Sequence, residues 1–315
     1  MTPKAFQRKQ AKQESLTPMN LIDSEDFTTL VEVASTDQEL LVLTRSGKAY
    51  TVNLGAIPVT PRQSKGTPVV SLLPSTATVQ GNPEAIVTQF VLYPDDLETL
   101  DLVMLTKQGR IKRLPLAEFT NLTGRGLTAL KLKEDDELLY ATLAATGEQL
   151  VLATTGGRVL RFEINDEQVP IMGRAAQGQQ ALRLHKKEEL VGCIALSDED
   201  SLLMLTAQGY GKQVPLRQIK ALNRGELGVQ AMAFATKSDM LIGIAPGLAG
   251  EVMLLTDTPR MVRLLADQVP PKGRAEAGDR LFKLNKGESI TGLITVALPD
   301  TATEEETETS GAVER

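Results

Sequence analysis

The stretch Leu43-Thr44-Arg45-Ser46-Gly47-Lys48 joins a Thr-x-x-Gly turn and a basic residue to the end of an apolar segment. Glycine readily adopts the positive φ that a tight hairpin turn usually needs, so this stretch predicts a β-hairpin. The pattern returns in Thr106-Lys107-Gln108-Gly109-Arg110, Thr154-Thr155-Gly156-Gly157-Arg158, Thr206-Ala207-Gln208-Gly209-Tyr210 and, with proline at the glycine position, Thr256-Asp257-Thr258-Pro259-Arg260.

A second element, Arg-x-x-x-Gly, follows each hairpin. It occupies residues 62–66, 174–178, 224–228 and 274–278, and an altered copy has Leu122 at the arginine position and Arg125 beside Gly126. A paired motif with a period of about fifty residues is typical of propeller-like arrays. We interpret the glycines of this element as structural, with a positive φ as the reason. They are Gly66, Gly126, Gly178, Gly228 and Gly278.

Each repeat predicts four short strands, which is the architecture of a propeller blade. The first strands are Leu30 to Ala34, Ile86 to Leu92, Leu138 to Leu143, Leu190 to Leu196 and Met240 to Ile244. The second strands are Leu40 to Thr44, Leu102 to Thr106, Leu150 to Thr154, Leu202 to Thr206 and Val252 to Thr256, and each third strand follows the turn. The fourth strands are Val69 to Leu73, Leu127 to Leu132, Gln180 to Leu184, Val229 to Ala233 and Arg280 to Leu284.

The two ends of the array predict how the ring closes. Ile290 to Leu298 is a sixth strand of the first type with no hairpin after it, and residues 1–22 resemble the end of a repeat. A ring removes its exposed sheet edges when its first and last segments share a blade. We therefore expect Ile290 to Leu298 to lie near the N-terminal segment in an incomplete sixth blade.

The charge is unevenly distributed. The net charge of the 315 residues is -6, and residues 300–315 carry -5 of it through six acidic residues and one arginine, which leaves -1 for the rest. The acidic stretch is rich in threonine and lacks apolar periodicity, so we predict a disordered tail. Aromatic content is 3% with no tryptophan, so the core must consist of leucine, valine, isoleucine and alanine.

Several protein classes are excluded by composition. One cysteine, Cys193, allows no disulfide within the chain, and its apolar neighbours predict a buried thiol rather than a reactive one. The single histidine, His185, cannot build a metal site and is expected to be exposed. Without a long apolar run or a secretory h-region, the sequence predicts a cytoplasmic protein with no membrane span.

These repeats resemble the C-terminal domain found in the A subunits of DNA gyrase and of its relative topoisomerase IV. The resemblance covers roughly residues 4–298 and rests on the hairpins, the Arg-x-x-x-Gly loops, and phrases such as Gly209-Tyr210-Gly211-Lys212. It implies an all-β pinwheel of five complete four-stranded blades plus a partial sixth, spanning residues 23–299. It further implies non-sequence-specific binding, bending and wrapping of duplex DNA on a basic rim, for supercoiling by a type IIA topoisomerase.

The resemblance also implies partners and an N-terminal motif. The partners are duplex DNA, the cleavage core of a topoisomerase and, through that core, the B subunit, in a nucleoid-associated setting. The gyrase box of the family, ideally QRRGGKG, aligns with Gln7-Arg8-Lys9-Gln10-Ala11-Lys12-Gln13 in residues 1–22, which keeps basic residues but lacks all three glycines. The match assigns Arg8, Lys9 and Lys12 to DNA.

Basic residues that recur with the repeat are the candidate phosphate contacts, because a duplex carries closely spaced charges along its backbone. In and beside the third strands they are Lys48, Arg110, Lys112, Arg113, Arg158, Arg161, Lys212, Arg260 and Arg263, and in the loops they are Arg62, Lys65, Arg125, Arg174, Arg224 and Arg274. The strand residues could instead be solvated outer faces. The loop arginines could instead hold the loops through hydrogen bonds to carbonyl groups at the blade junctions.

No catalytic site is expected in this chain. None of its four tyrosines follows an arginine, no Asp-x-Asp-x-Asp cluster offers Mg²⁺ ligands, and no Gly-rich loop of the Walker type offers an ATP site. The run Glu134-Asp135-Asp136-Glu137 is interpreted as a solvated loop, and no cofactor is expected. The acidic tail could compete with DNA for the rim or serve only solubility. The alternative function is a protein-interaction propeller with little affinity for DNA.

Overall fold

The computed structural model describes residues 18–20, 34–61, 66–79, 81–247, 250–258 and 260–296. The expected domain boundaries after residues 22 and 299, the acidic tail and the segment Gln7 to Gln13 lie outside these residues. So do four of the five residues of the first strand expected at Leu30 to Ala34.

The described chain is built almost wholly from strands. They are β1 (Pro18–Asn20), β2 (Glu39–Thr44), β3 (Lys48–Asn53), β4 (Thr78–Val79), β5 (Asn82–Pro83), β6 (Ile86–Leu92), β7 (Leu100–Thr106), β8 (Arg110–Pro115), β9 (Leu127–Thr128), β10 (Leu138–Ala145), β11 (Gln149–Thr154), β12 (Arg158–Glu163), β13 (Gln179–Gln180), β14 (Leu190–Leu196), β15 (Ser201–Thr206), β16 (Tyr210–Pro215), β17 (Val229–Gln230), β18 (Leu241–Pro246), β19 (Glu251–Thr256), β20 (Arg260–Leu265), β21 (Asp279–Arg280) and β22 (Ile290–Val296). Two short α-helices are α1 (Val69–Leu72) and α2 (Pro94–Thr99). Four 3₁₀ turns lie at Leu54–Ala56, Leu116–Phe119, Leu216–Gln218 and Ala266–Gln268.

The strands form five four-stranded antiparallel sheets, which we call blades I to V. The strand orders, from inner to outer edge, are β6-β2-β3-β9 in blade I, β10-β7-β8-β13 in blade II, β14-β11-β12-β17 in blade III, β18-β15-β16-β21 in blade IV and β22-β19-β20-β1 in blade V. The five predicted hairpins are confirmed as the central pair of strands in each blade. The blade is completed by an inner and an outer strand from other parts of the chain, because neighbouring repeats exchange strands.

Closure of the ring differs from the expectation. The strand β22 does share a blade with the N-terminal strand β1, but the two strands are the opposite edges of the complete blade V. The partial sixth blade is not found in the described residues. In blades I to IV the outer strand comes from a later repeat, whereas in blade V the outer strand is β1. Pairing with β1 covers the otherwise exposed edge of β20.

The fourth strands are shorter than predicted. Only two residues of each form ladder pairs in blades I to IV, for example Gln179 and Gln180 against β8. The strand expected at Val69 to Leu73 is the single-turn helix α1 instead. No ladder partner is available for this segment in the described ring, because the outer edge of blade V is already occupied by β1.

The hydrophobic core lies between neighbouring blades. In blades II to IV the first strand of the hairpin is apolar on both faces because each face packs on a different blade; in β7 the run from Leu102 to Leu105 is fully buried. One cluster joins Val103 and Leu105 of blade II to Leu150 and Leu152 of blade III, and similar clusters join blades I and II, blades III and IV, and blades IV and V. As the composition predicts, these clusters consist mainly of aliphatic residues.

A cavity of 390 Å³ lies where the inner strands meet. Its lining comes from all five of them, including Val87, Tyr140, Ile194, Ile244 and Ile294. The inner strands therefore surround one axis, so the five blades are arranged as a ring.

The glycine positions explain why the turns are sharp. Gly47, Gly109, Gly157 and Gly209 have φ values of 76°, 77°, 75° and 81°, as the hairpin motif predicts. In the Arg-x-x-x-Gly loops a positive φ is confirmed for Gly126, Gly178 and Gly228. Gly278 is required for another reason, because a Cβ there would lie 2.6 Å from the carbonyl oxygen of Gly211, and Gly66 shows neither constraint.

Gly178→Ala is expected to destabilise the ring by about 1–3 kcal/mol, because it combines a left-handed backbone with overlap on the carbonyl oxygen of Ile111. Urea unfolding followed by circular dichroism measures this. The matched control is Gly173→Ala in the same loop, where nothing lies within 4 Å of an added Cβ, and no loss is expected there. Equal losses in both variants would contradict this account of Gly178.

Candidate functional site

A carboxylate at a fixed position holds every hairpin turn. The residues Glu84, Asp136, Glu188, Asp239 and Glu288 each lie two residues before the inner strand of a blade. We call them the turn carboxylates. The sequence interpretation missed them, and Asp136 is not part of a purely solvated loop run: its Oδ1 accepts hydrogen bonds from the backbone N–H groups of Gln108 and Glu137, both at 3.0 Å. Their recurrence with the same period as the turns was the available signal.

Glu84 shows how a turn carboxylate uses its oxygens. The hydroxyl groups of Thr44 and Ser46 donate to Oε2, while Lys48 Nζ donates to Oε1 at 3.1 Å and the Tyr50 hydroxyl donates to Oε1 at 3.2 Å. Burial alone would raise the pKa of Glu84, but the hydrogen bonds from Ser46, Thr44 and Lys48 outweigh it and lower the pKa. The carboxylate is therefore a charged anchor inside blade I.

The first basic residue after the turn pairs with this anchor in two further blades. Arg158 Nε lies 3.5 Å from Glu188 Oε1, and Arg260 Nη1 lies 2.8 Å from Glu288 Oε2. In blade II the anchor is an aspartate, and Arg110 donates instead to the carbonyl oxygens of Gln177, at 3.0 Å, and Gly178, at 2.5 Å. Lys48, Arg110, Arg158 and Arg260 are thus all bound to protein groups.

Two candidate lysines are fully buried. Lys112 Nζ donates to the carbonyl oxygens of Ala129 at 2.7 Å and Arg174 at 3.0 Å. Lys212 Nζ donates to those of Gly273 at 3.0 Å, Arg274 at 2.9 Å and Glu276 at 2.6 Å. Burial lowers the pKa of each lysine to about 8. These ammonium groups bind the Arg-x-x-x-Gly loops from within the ring.

The remaining strand arginines also have internal partners. Arg113 pairs with Asp101 at 3.2 Å and with Asp166. Arg161 pairs with Asp198 and donates to the carbonyl oxygen of Ile219. Arg263 pairs with Glu251.

The expectation of a row of strand cations open to phosphate is therefore corrected for the buried ones. The exposed fractions of Lys112, Arg113, Arg161 and Lys212 are 0%, 1%, 7% and 0%. These side chains join strands to the loops and to neighbouring acids, because a buried cation requires such partners.

Two of the loop arginines bind carbonyl groups at the blade junctions, which is one of the two alternatives left open by the sequence. Arg224 donates to the carbonyl oxygens of Gln168 at 2.6 Å and Gln180 at 2.8 Å, and Arg274 donates to that of Gln230 at 2.6 Å. Gln180 lies in β13, the outer strand of blade II, and Gln230 lies in β17, the outer strand of blade III, so each arginine links its loop to the outer strand of another blade.

The other loop cations stand closer to solvent. Arg174 is exposed and pairs with Glu118 at 3.0 Å, and Arg125 is exposed with no ion pair among the described residues. Arg8, Lys9, Lys12, Arg62 and Lys65 lie outside the described residues.

A second set of cations, which the sequence interpretation missed, lies in the segments that connect outer strands to inner strands. We call residues 129–137, 181–189, 231–240 and 281–289 crossing segments I to IV. Each passes over a hairpin turn, as when the backbone N–H groups of Lys107 and Thr155 donate to the backbone carbonyl oxygens of Glu137 and Glu189. Their exposed basic residues form no ion pair within the described ranges and are Lys131, Lys133, Arg183, Lys186, Lys187, Lys237, Lys283 and Lys286.

The crossing segments and loops form one continuous band. The backbone N–H groups of Lys131, Arg183 and Ala233 donate to the carbonyl oxygens of Ala176, Glu226 and Glu276, each in the loop of the next repeat. The exposed cations therefore follow one another around the ring.

Other candidate chemistry is sparse in the described residues. Cys193 is buried as expected, and burial raises the pKa of its thiol to about 12. His185 is exposed as expected. Across the described ranges no group of His, Cys, Asp or Glu could hold a metal ion, and no helix is long and apolar enough to span a bilayer.

Five four-stranded blades that close around one axis through exchanged strands define a protein of the β-propeller class. The profile of one family within it, the DNA gyrase C-terminal domain, beta-propeller, matches residues 38–82, 100–144, 148–197, 200–246 and 250–297. The chain belongs to this family.

Similar proteins agree with this assignment. The chain is 34% identical to the A subunit of DNA topoisomerase 4 from Synechocystis sp. over 88% of its length, and 31% identical to the A subunit of DNA gyrase from Pseudomonas aeruginosa over 95%. It spans 31% and 36% of these relatives, about a third of their length.

Solved structures show the same fold. The C-terminal domain of DNA topoisomerase IV superposes with a TM-score of 0.70 at 19% identity, covering 82% of this chain and 79% of that one. The DNA gyrase A C-terminal domain superposes with a TM-score of 0.65 at 21% identity, covering 88% and 89%.

Glu84→Gln is expected to weaken the fold at neutral pH by about 1–3 kcal/mol, because four donors lose a charged acceptor. The pKa of Glu84 is lowered in the folded chain, so its contribution is present above the unfolded pKa, near the ordinary 4.5, and is lost as pH falls through the folded pKa. Urea unfolding at a series of acidic pH values should show a smaller loss of stability for the variant than for the parent. The exposed Glu98→Gln serves as the control, and a parent-like pH profile for Glu84→Gln would refute the anchor role.

The buried lysines predict a rise in stability at alkaline pH. Their pKa is about 8 in the folded chain and near 10.5 in the unfolded chain, so between these values the unfolded chain binds more protons. The free energy of unfolding should therefore increase with pH by up to about 1.4 kcal/mol per unit for each lysine.

Lys112→Leu and Lys212→Leu should each remove part of this increase in denaturant titrations between pH 8 and 10.5. Leucine is the matched choice because Leu160 is buried at the equivalent position of blade III. An unchanged slope in the double variant would show that these two lysines keep their ordinary pKa.

Proposed function

We propose that this chain binds duplex DNA without reading its sequence and bends it, as the C-terminal part of the A subunit of a bacterial type IIA topoisomerase. The single observation that supports this most directly is the band of exposed cations that recurs with the repeat. Family membership and the names of the similar proteins support the same proposal.

The mechanism we propose is electrostatic. Lysine and arginine side chains along the crossing segments neutralise phosphates and release their counterions, which requires no contact with base edges. The loop cations Arg125 and Arg174 stand in the same band and add to it. Because the band curves around the ring, a duplex that keeps contact with it must bend, and the added phosphate contacts offset the cost of bending.

Strand cleavage and ATP hydrolysis belong, in this proposal, to other parts of the enzyme. The cleavage core of the A subunit would receive the bent DNA, and the B subunit would act through that core. The whole would be cytoplasmic and associated with the nucleoid. The ring itself contributes the direction in which the DNA leaves the core.

A salt titration tests the proposal. Fluorescence anisotropy of a labelled duplex of arbitrary sequence should give a dissociation constant that weakens steeply with salt. With all eight crossing-segment cations engaged, the slope of log K against log salt would reach about -7, and partial engagement gives a proportionally smaller slope. Two duplexes of equal length and different sequence should bind alike.

Absent or salt-independent binding would overturn the proposal and would favour a protein-interaction ring instead. Supercoiling assays on the full-length topoisomerase, with and without residues 34–296, then test whether bending serves strand passage.

A further inference from the structure

Three lysines occupy one equivalent position in successive crossing segments. Lys186, Lys237 and Lys286 each lie two residues before a turn carboxylate, which is Glu188, Asp239 and Glu288 respectively. All three are exposed and have no ion pair within the described ranges. Because the carboxylate is bound to a hairpin turn in each case, the backbone beneath each lysine is fixed in the same relation to its blade.

Crossing segment I has the opposite charge at this position. Glu134 lies two residues before Asp136, is exposed, and is followed by the exposed Asp135. The neighbouring Lys133 is therefore beside two acidic groups. One repeat earlier, the position two residues before Glu84 is the uncharged Asn82.

We infer that duplex DNA follows crossing segments II, III and IV and that Glu134 ends its path on the ring. The path is an arc along Lys186, Lys237 and Lys286, with Arg183, Lys187 and Lys283 beside it. This inference rests on the proposed function, and it adds which sector of the ring holds the duplex and which residue limits it.

The continuity of the band supports an arc rather than isolated contacts. Crossing segment II is hydrogen-bonded to the loop of the next repeat through Arg183 and Glu226, and crossing segment III through Ala233 and Glu276. Because these hydrogen bonds link each crossing segment to the next repeat, a phosphate backbone that passes Lys186 would next reach Lys237 and then Lys286.

The acidic end of the arc has a simple electrostatic origin. A carboxylate beside a phosphate repels it, and like charges placed together at an interface reduce binding strongly. Glu134 has no side-chain hydrogen bond or ion pair in the described structure, so its carboxylate is exposed to solvent without a bonded partner. Reversal of this one charge should extend the row of lysines to a fourth crossing segment.

The test compares one charge reversal with a matched reversal elsewhere. Glu134→Lys should tighten duplex binding and increase the magnitude of the salt slope by about 1, so that the loss of affinity between 50 and 200 mM salt becomes about threefold larger. It should also bend a duplex further, measured by energy transfer between dyes at its two ends. Glu163→Lys is the control, because Glu163 is exposed at the end of β12 away from the hairpin turn.

Removal of the lysines gives the complementary result. Lys186→Ala, Lys237→Ala and Lys286→Ala should each reduce the magnitude of the salt slope by about 1, without change in the thermal unfolding of the ring. Lys220→Ala is the control for loss of an exposed lysine, since Lys220 follows the 3₁₀ turn Leu216–Gln218 rather than a crossing segment.

The outcomes separate this inference from the proposed function. If the parent binds DNA with a steep salt slope but Glu134→Lys acts no differently from Glu163→Lys, the arc is wrong and the proposed function stands. If the three lysine variants match Lys220→Ala, the arc is likewise wrong. If the parent shows no salt-dependent binding, both proposals fail.

Discussion

The hydrogen bonding of a carboxylate to every hairpin turn is the interaction on which the rest of the ring depends. Each turn carboxylate lies just before an inner strand, and the turn that it contacts joins the two hairpin strands of the same blade. The inner strand pairs with the first strand of that hairpin. The contact of the carboxylate with the turn therefore fixes the register of an exchanged strand, which a sheet of this kind otherwise leaves to hydrophobic pattern alone. The same contact holds the crossing segment over the turn, and so places the exposed lysines.

The length of the carboxylate side chain determines whether the basic residue after the turn pairs with it or with another group. In blades I, III and V a glutamate reaches both a hydroxyl group of the turn and the basic residue that follows it, as Glu288 reaches Thr258 and Arg260. In blades II and IV an aspartate, one methylene shorter, receives only backbone N–H groups, as Asp239 does from Gln208 and Met240. The residue after the turn then finds another partner: Arg110 binds the loop carbonyl of Gly178, and the ring of Tyr210 lies 5.7 Å from the guanidinium of Arg280. Both solutions leave the strand cations bound within the protein.

Sequence reasoning predicted what is local and missed what depends on strand exchange. The five hairpins and the glycine turns follow from a few adjacent residues, and they are confirmed. The place of Ile290 to Val296 in blade V could not follow from local pattern, because a strand of the first type can complete either its own blade or the preceding one. Lys112 and Lys212 looked like exposed residues because lysine is seldom fully buried; only the loop carbonyls, contributed from about sixty residues away, make their burial tolerable. The crossing-segment lysines do not stand out in the sequence because they lie between the strands, in segments without a hairpin or glycine motif of their own.

The two populations of cations reconcile an acidic chain with the proposed interface for DNA. A net charge of -6 describes the whole sequence, yet a phosphate responds to charges within about one Debye length, roughly 8–10 Å at ordinary salt. Most strand cations contribute little at that range because Glu84, Glu188, Asp101 and similar partners neutralise them, while Lys112 and Lys212 are buried against carbonyl oxygens. The crossing-segment cations have no such partners, while the turn carboxylates beside them are directed to the hairpins. The proposed interface depends on the separation of paired and unpaired charge within one repeat, and it needs no excess of basic residues in the chain.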